Sequence, residues 1–89
     1  MRAVITVVGK DRTGIIAKIS DTICKCGVNI LDISQNVMDE MFAMVMFVDI
    51  KDCTVDFPVF TELLEQDGYA LGMKVHCMHE DIFNAMHRI

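Results

Sequence analysis

The chain has 89 residues, of which 53% are hydrophobic and 24% charged, and its formal net charge is −5. This length predicts one domain, residues 1–89, with a thin margin of stability from a single core. Acidic and basic residues are interspersed without a basic run, which argues against nucleic acid or an anionic membrane surface as a partner. The surplus of apolar residues favours a second subunit as cover, so we expect a homodimer.

The first segment, residues 2–8, is apolar and rich in β-branched side chains, which predicts strand one. It is too short to span a bilayer, and no small-residue cleavage site follows it, so we expect a cytoplasmic protein. The cysteines fit that compartment because none belongs to a CxxC pair. Cys24 and Cys26 point to different sides of a helix, and Cys53 and Cys77 stand alone. We therefore expect free thiols.

Apolar residues recur at helical spacing between residues 14 and 26, which predicts the first helix, and Gly27 is placed to end it. Alternating polarity over 28–38 then predicts strand two, with Leu31 and Val37 on the same face. The two residues that follow this strand, 39–40, are predicted to form a tight turn, although neither is the glycine that such turns favour.

That turn, residues 39–40, leads into strand three over 41–50, which is apolar on both faces until its end. Helix two is predicted over 56–68, from an aspartate N-cap to a glycine stop. Strand four follows over 71–78, and the apolar spacing over 80–88 predicts a short third helix.

The resulting order, βαββαβ and a short C-terminal helix, predicts an α+β, ferredoxin-like, two-layer sandwich. In this plan two helices cover one face of an antiparallel four-stranded sheet. Strands one and three are apolar on both faces, so the second face also needs cover. A homodimer packed sheet against sheet is the simplest cover, with edge pairing as its competitor. The terminal helix covers its own subunit or docks on a partner, and the sequence does not choose between them.

The junction after strand one, residues 9–16, reads Gly-Lys-Asp-Arg-Thr-Gly-Ile-Ile and is the most informative segment of the chain. Glycines near both its ends let the backbone approach a ligand or another backbone closely. Free N–H groups at the start of a helix attract a carboxylate or a similar anion. Asn29 adds an amide at the start of strand two, whose donor and acceptor suit the polar end of an amino acid.

These two segments, 9–16 and the sequence Cys-Gly-Val-Asn-Ile at 26–30, resemble the signature of ACT domains. Many members of that family carry proline where this chain has Thr13. The segments 32–35 and 82–86 resemble still more closely a group of single-ACT proteins, themselves similar to the ACT modules of a glycine-cleavage-system repressor.

The resemblance implies a regulatory module in which an effector amino acid binds between the first loop and strand two, commonly at a subunit interface. It predicts a homodimer that binds a small molecule and acts on a regulated protein partner. Gly9 stands where some amino-acid-binding members carry a side-chain ligand such as histidine. Gln35 is added for its polarity within an apolar strand face. The predicted ligand-binding residues are Gly9, Asp11, Arg12, Thr13, Gly14, Ile15, Asn29, Ile30 and Gln35.

Other functions fit less well, and we expect neither an enzyme nor a cofactor. An acylphosphatase-like site could use Arg12, but no glycine-rich phosphate loop surrounds it. A metallochaperone would carry two cysteines in the first loop, which has none. His76 and Met78 face one side of a strand, whereas Cys77 and His79 face the other, so no metal site is expected within one subunit. The main alternative is a dimeric protein–protein interaction adaptor without a small-molecule ligand.

Overall fold

The computed structural model describes residues 1–86, which form four strands and three helices around one sheet. The sheet order is β2-β3-β1-β4 and every neighbouring pair is antiparallel, which confirms the predicted ferredoxin-like fold. Within these residues no helix is both long and apolar enough to cross a membrane. The elements are β1 (Arg2–Lys10), α1 (Ile15–Lys25), β2 (Asn29–Met38), β3 (Met41–Asp49), α2 (Phe57–Leu71), β4 (Met73–His79) and α3 (Glu80–Met86).

The core lies between the sheet and the two long helices. Helix α1 contributes Ile15, Ile19 and Ile23, the apolar positions that predicted it, and α2 contributes Phe60 and Leu64. Each of these side chains is at most 2% exposed, and burying one stabilises the fold by about 1.5–3 kcal/mol relative to leaving it in water. Alternate residues of β1 and β3 complete this core, so the helices are fixed against the sheet.

Helix α1 ends where the sequence indicates. Gly27 has a φ of +72°, its N–H donates to the Cys24 carbonyl at 3.0 Å, and the Val28 N–H donates to the Ile23 carbonyl at 3.2 Å. This paired bonding satisfies carbonyls that the last helical turn leaves free, and it requires the left-handed conformation that glycine adopts readily.

Helix α2 ends later than predicted, and Gly68 is not its stop. The helix continues to Leu71 and is capped by Gly72, whose φ is +71°. Gly68 is instead a buried contact with β4, because a Cβ on it would lie 2.4 Å from Cγ2 of Val75. Strand β4 consequently begins at Met73 rather than at residue 71.

Strand β2 is an edge strand, and it also departs from a simple alternation. It begins at Asn29, and its register with β3 shifts between Ile30 and Asp32, so Leu31 has no counterpart on β3. All of its side chains except that of Ile30 are exposed, including the apolar Ile33. The strand therefore presents free backbone groups and apolar side chains along one border of the sheet.

Helix α3 covers part of the second sheet face of its own subunit, which is the first of the two roles that the sequence left open. The ring of Phe83 meets that of Phe47 edge-on at 6.2 Å, and the guanidinium of Arg2 donates to the Glu80 carboxylate at 2.8 Å. The cover is incomplete, since Val8 on the same face is 43% exposed. The rest of the predicted third helix, 87–88, lies outside the described residues.

Candidate ligand-binding site

The loop between β1 and α1 is held at two points. The N–H of Asp11 donates to the Glu40 carbonyl at 2.7 Å, which ties the loop to the turn between β2 and β3. Nη1 of Arg12 donates to the Leu71 carbonyl at 3.4 Å, which ties it to the end of α2. The loop is thus positioned by both layers of the fold.

Helix α1 begins at this loop without a side-chain cap. Gly14 is the N-cap residue, with a φ of +89°, and its carbonyl accepts the first helical bond from the Lys18 N–H at 3.0 Å. Among the described residues no side chain caps the helix, and its first turn carries no acidic residue. The N–H groups of the first turn are therefore available to an anion.

Close packing does not explain the glycine at position 14. A Cβ built on Gly14 would meet no described atom within 4 Å, so the position has room for a side chain. Its left-handed φ is the constraint, because such a backbone conformation is strained for other residues. The glycine is needed to turn the chain into α1.

A groove of about 490 Å³ lies between this loop, the first turn of α1 and β2. Five of its lining residues come from the predicted loop, and Gln35 reaches it from β2. Gln35 pairs with Met44, whose side chain faces the helices, so the amide lies on the helix side of the sheet. The predicted residues that the structure brings together are Asp11, Arg12, Thr13, Gly14, Ile15 and Gln35.

Four further residues line the groove that the sequence did not single out. Val37 and Phe42 are directly paired across the β2–β3 hairpin, and Ile16 and Ala17 lie in the first turn of α1. The sequence does indicate that Val37 and Phe42 are neighbours, because a two-residue turn at 39–40 places residues 37 and 42 opposite each other. That the hairpin end lies beside the loop follows only from the sheet order.

Asn29 and Ile30 are not part of this groove within one chain. Asn29 pairs with Asp49 at the end of the sheet where β1 begins, whereas the loop follows the other end of β1. The nine steps along β2 from Asn29 to Met38 correspond to about 30 Å. Within one chain, the amide of Asn29 is therefore far from the predicted loop.

Gly9 also lies outside the groove. It pairs with Met73 of β4, and a Cβ on it would lie 2.6 Å from the Met73 sulfur and 3.2 Å from the Gly72 carbonyl oxygen. Its small size thus allows close contact between β1 and the start of β4.

The other side of the loop borders a second cavity of about 660 Å³, which includes Lys10, Leu71 and Gly72. This cavity adjoins the C-terminal end of α2 and contains three of the predicted site residues, Asp11, Arg12 and Thr13. The groove beside α1 contains six of them, including Gln35, and also the uncapped start of the helix. We therefore assign the candidate site to the groove.

The metal-binding residue types are dispersed, as far as the structure describes the chain. His76 and Met78 pair with residues of the open sheet face, while His79, on the helix side, stacks on Phe57 with ring centroids 4.2 Å apart. No group of three or more histidine, cysteine or acidic residues in 1–86 is arranged to hold a metal ion. The cysteines are free thiols, with Cys24 exposed and Cys26 buried.

The fold and the groove together define a two-layer βαββαβ module with a recess at its first loop, and comparisons with known proteins agree. The family model described as ACT domain matches residues 2–78. The UPF0237 protein of Methanocaldococcus jannaschii is 52% identical over 99% of this chain and 98% of its own length.

Solved structures give the same result. An ACT domain protein from Streptococcus pneumoniae is 44% identical, with a TM-score of 0.81 and 98% of both chains covered. The regulatory subunit of aspartate kinase from Thermus thermophilus shares the fold at 23% identity, with a TM-score of 0.65 over 85% of this chain and 49% of that one. The chain belongs to the ACT domain family, whose members are regulatory ligand-binding modules.

Proposed function

We propose that this protein is a cytoplasmic, homodimeric amino-acid sensor without catalytic activity of its own, which acts on a protein partner. The observation that carries the proposal is the groove that joins the loop, the uncapped start of α1 and Gln35. A free amino acid has a carboxylate, an ammonium group and a side chain, and the groove offers a counterpart to each. The name of the aspartate kinase regulatory subunit, which shares the fold, is consistent with this role.

The two charged groups of an amino acid suit the two polar sides of the groove. The N–H groups of the first turn of α1 would bind the carboxylate, helped by the positive end of the helix dipole. The carboxylate of Asp11 and the amide oxygen of Gln35 would accept hydrogen bonds from the ammonium group.

A second subunit paired along β2 supplies the missing amide. If two copies of β2 pair antiparallel about a two-fold axis, the start of one strand lies beside the end of the other. Asn29 of one subunit, whose side chain is on the open face of the sheet, then lies beside the hairpin end to which the neighbour's Asp11 is bonded, about 30 Å from its own loop. The exposed Ile33 and the free edge of β2 support this pairing, and α3 partly obstructs the competing sheet-to-sheet dimer.

The test is a thermal-shift screen of the full chain against the twenty amino acids, with calorimetry on any hit. A ligand at a hundredfold excess over its Kd stabilises the folded state by about 2.7 kcal/mol, which moves the melting point of a domain this small by several degrees. We expect the shift to disappear in Asn29→Ala and in Gln35→Ala.

Asn36→Ala is the matched control. Asn36 is next to Gln35 on β2, but its side chain is on the open face, does not line the groove, and is far from the strand start where Asn29 lies. It should leave the shift unchanged. If no amino acid shifts the melting point, the proposal is wrong, and the exposed edge of β2 would favour a dimeric adaptor that binds protein alone.

A further inference from the structure

We propose that the effector is an amino acid with an apolar side chain of branched-chain or larger size. This inference rests on the proposed function and narrows it. It follows from the distribution of polar and apolar groups within the groove. The polar side chains come from the loop and from Gln35, and the remaining lining residues, on α1 and the hairpin, are apolar.

The polar groups of the groove are already assigned to the backbone part of the ligand. Asp11 and Gln35 suit the ammonium group, and the start of α1, with the Thr13 hydroxyl beside it, suits the carboxylate. The guanidinium of Arg12 donates to the Leu71 carbonyl, which turns it toward α2 and the second cavity. This contact directs the guanidinium away from the apolar part of the groove.

The surface left for the side chain is apolar. It consists of Val37 and Phe42 from the hairpin and of Ile16 and Ala17 from α1. Val37 is 48% and Ile16 is 37% exposed, whereas Phe42 is 4% exposed and forms the base of the groove. A ligand that covers Val37 and Ile16 removes their apolar surface from water.

Polar ligand side chains fit this wall poorly. A hydroxyl, amide or charged group placed against Val37 and Phe42 would lose its hydrogen bonds to water without replacement. A side chain as small as that of glycine or alanine would leave these apolar residues uncovered, and one methylene missing from a ligand in an apolar pocket weakens binding about 10–200-fold. Both classes should therefore bind more weakly than leucine, isoleucine, valine, methionine or phenylalanine.

The experiment measures Kd by calorimetry for leucine and asparagine, whose side chains have similar shapes, on the full-length protein and two variants. We expect leucine to bind at least about tenfold more tightly than asparagine. Val37→Thr places a hydroxyl on the wall at nearly constant volume, and it should reduce the leucine-to-asparagine ratio by about tenfold or more.

Ile33→Thr is the matched control, and it should leave the leucine-to-asparagine ratio unchanged, because a weaker dimer would lower the affinity for both ligands alike. Ile33 shares the helix side of β2 with Val37 and is also exposed, at 40%, but it does not line the groove. If the apolar wall served dimerisation alone, both variants would weaken binding of every ligand equally and the ratio would not change, which would overturn the inference.

The remaining outcomes separate this inference from the proposed function. If a polar or charged amino acid binds tightest and its binding is lost in Gln35→Ala, the apolar-effector inference is wrong while the sensor proposal stands. If none of the twenty amino acids binds, both are wrong.

Discussion

Burial of individual thiols makes the free energy of unfolding of this small protein depend on pH under alkaline conditions. Cys77 lies on the helix side of β4, paired with Ile5 and packed against the core. Burial disfavours the thiolate and raises the pKa of Cys77 from 9.0 to about 11. Burial also raises the pKa of Cys26, the residue that follows α1. Both side chains are thus protonated and act as small apolar groups near neutral pH.

Stability should fall as the pH rises through the range from about 9 to 11. The unfolded chain releases the Cys77 proton near pH 9, whereas the folded chain retains it to about pH 11, so folding loses free energy between these values. Urea denaturation from pH 7 to 11 measures this, and Cys77→Ala should flatten the decline. Cys24→Ala, which removes an exposed thiol, should leave the slope as in the parent protein. An equal slope in the Cys77 variant would contradict the assignment.

At the scale of elements, the contact between α2 and β4 depends on a missing side chain. Gly68 lies in the fourth turn of α2, where a Cβ would meet Cγ2 of Val75 at 2.4 Å and the carbonyl oxygen of Met73 at 3.0 Å. The second atom is backbone and cannot rotate away. Glycine is normally unfavourable within a helix, so its presence here reflects the close approach of the strand.

Gly68→Ala should lower the free energy of unfolding, because overpacking costs about 1–3 kcal/mol and exceeds the roughly 1 kcal/mol gained in helix propensity. Chemical denaturation measures the change. In the Val75→Ala background the same substitution should cost less, since the nearest clashing methyl is gone. Equal costs in both backgrounds would show that Val75 is not the obstacle.

The spacing of apolar residues was sufficient to predict the helices and strands, but it predicted their first and last residues less well. The apolar spacing that predicted α1 and the glycine that ends it are local features, and both are confirmed. Gly68 and Gly72 look alike in sequence as helix stops, and only the packing of β4 distinguishes them. The register shift beside Leu31 likewise has no local signal, because it depends on the pairing of β2 with β3.

The candidate site was predictable to a similar degree. The loop from Asp11 to Ile15 was indicated by its own residues, and Gln35 by its polarity on an apolar strand face. Val37 and Phe42 were not, because their place in the groove depends on which strand end lies beside the loop. The separation of Asn29 from the loop is likewise a property of the antiparallel sheet.

At the scale of the whole molecule, the proposed dimer makes each site from two chains. The groove residues would come from one subunit and Asn29 from the other, which a mixture of two defective variants can test. Asn29→Ala and Gln35→Ala homodimers should each fail to bind. A dimer containing one of each has one site with both side chains intact.

After subunit exchange at equal concentrations, half of the dimers are mixed and each has one intact site of two, so about a quarter of the sites should bind. Calorimetric stoichiometry measures this fraction, and native mass spectrometry of an isotope-labelled variant verifies exchange. Asn29→Ala exchanged with itself is the control and should remain inactive. If exchange occurs and no binding returns, the site does not span two subunits along β2.

The position of Asn29 at the far end of the sheet from its own loop would have a quantitative consequence for the proposed sensor. When a complete site exists only in the dimer, binding of the effector favours dimerisation. Dilution of the protein then weakens its apparent affinity for the effector. The concentration at which the sensor responds is then set jointly by the effector and by the cellular abundance of the protein. A cell that changes expression of this chain would thereby retune its response threshold without altering a single residue of the groove.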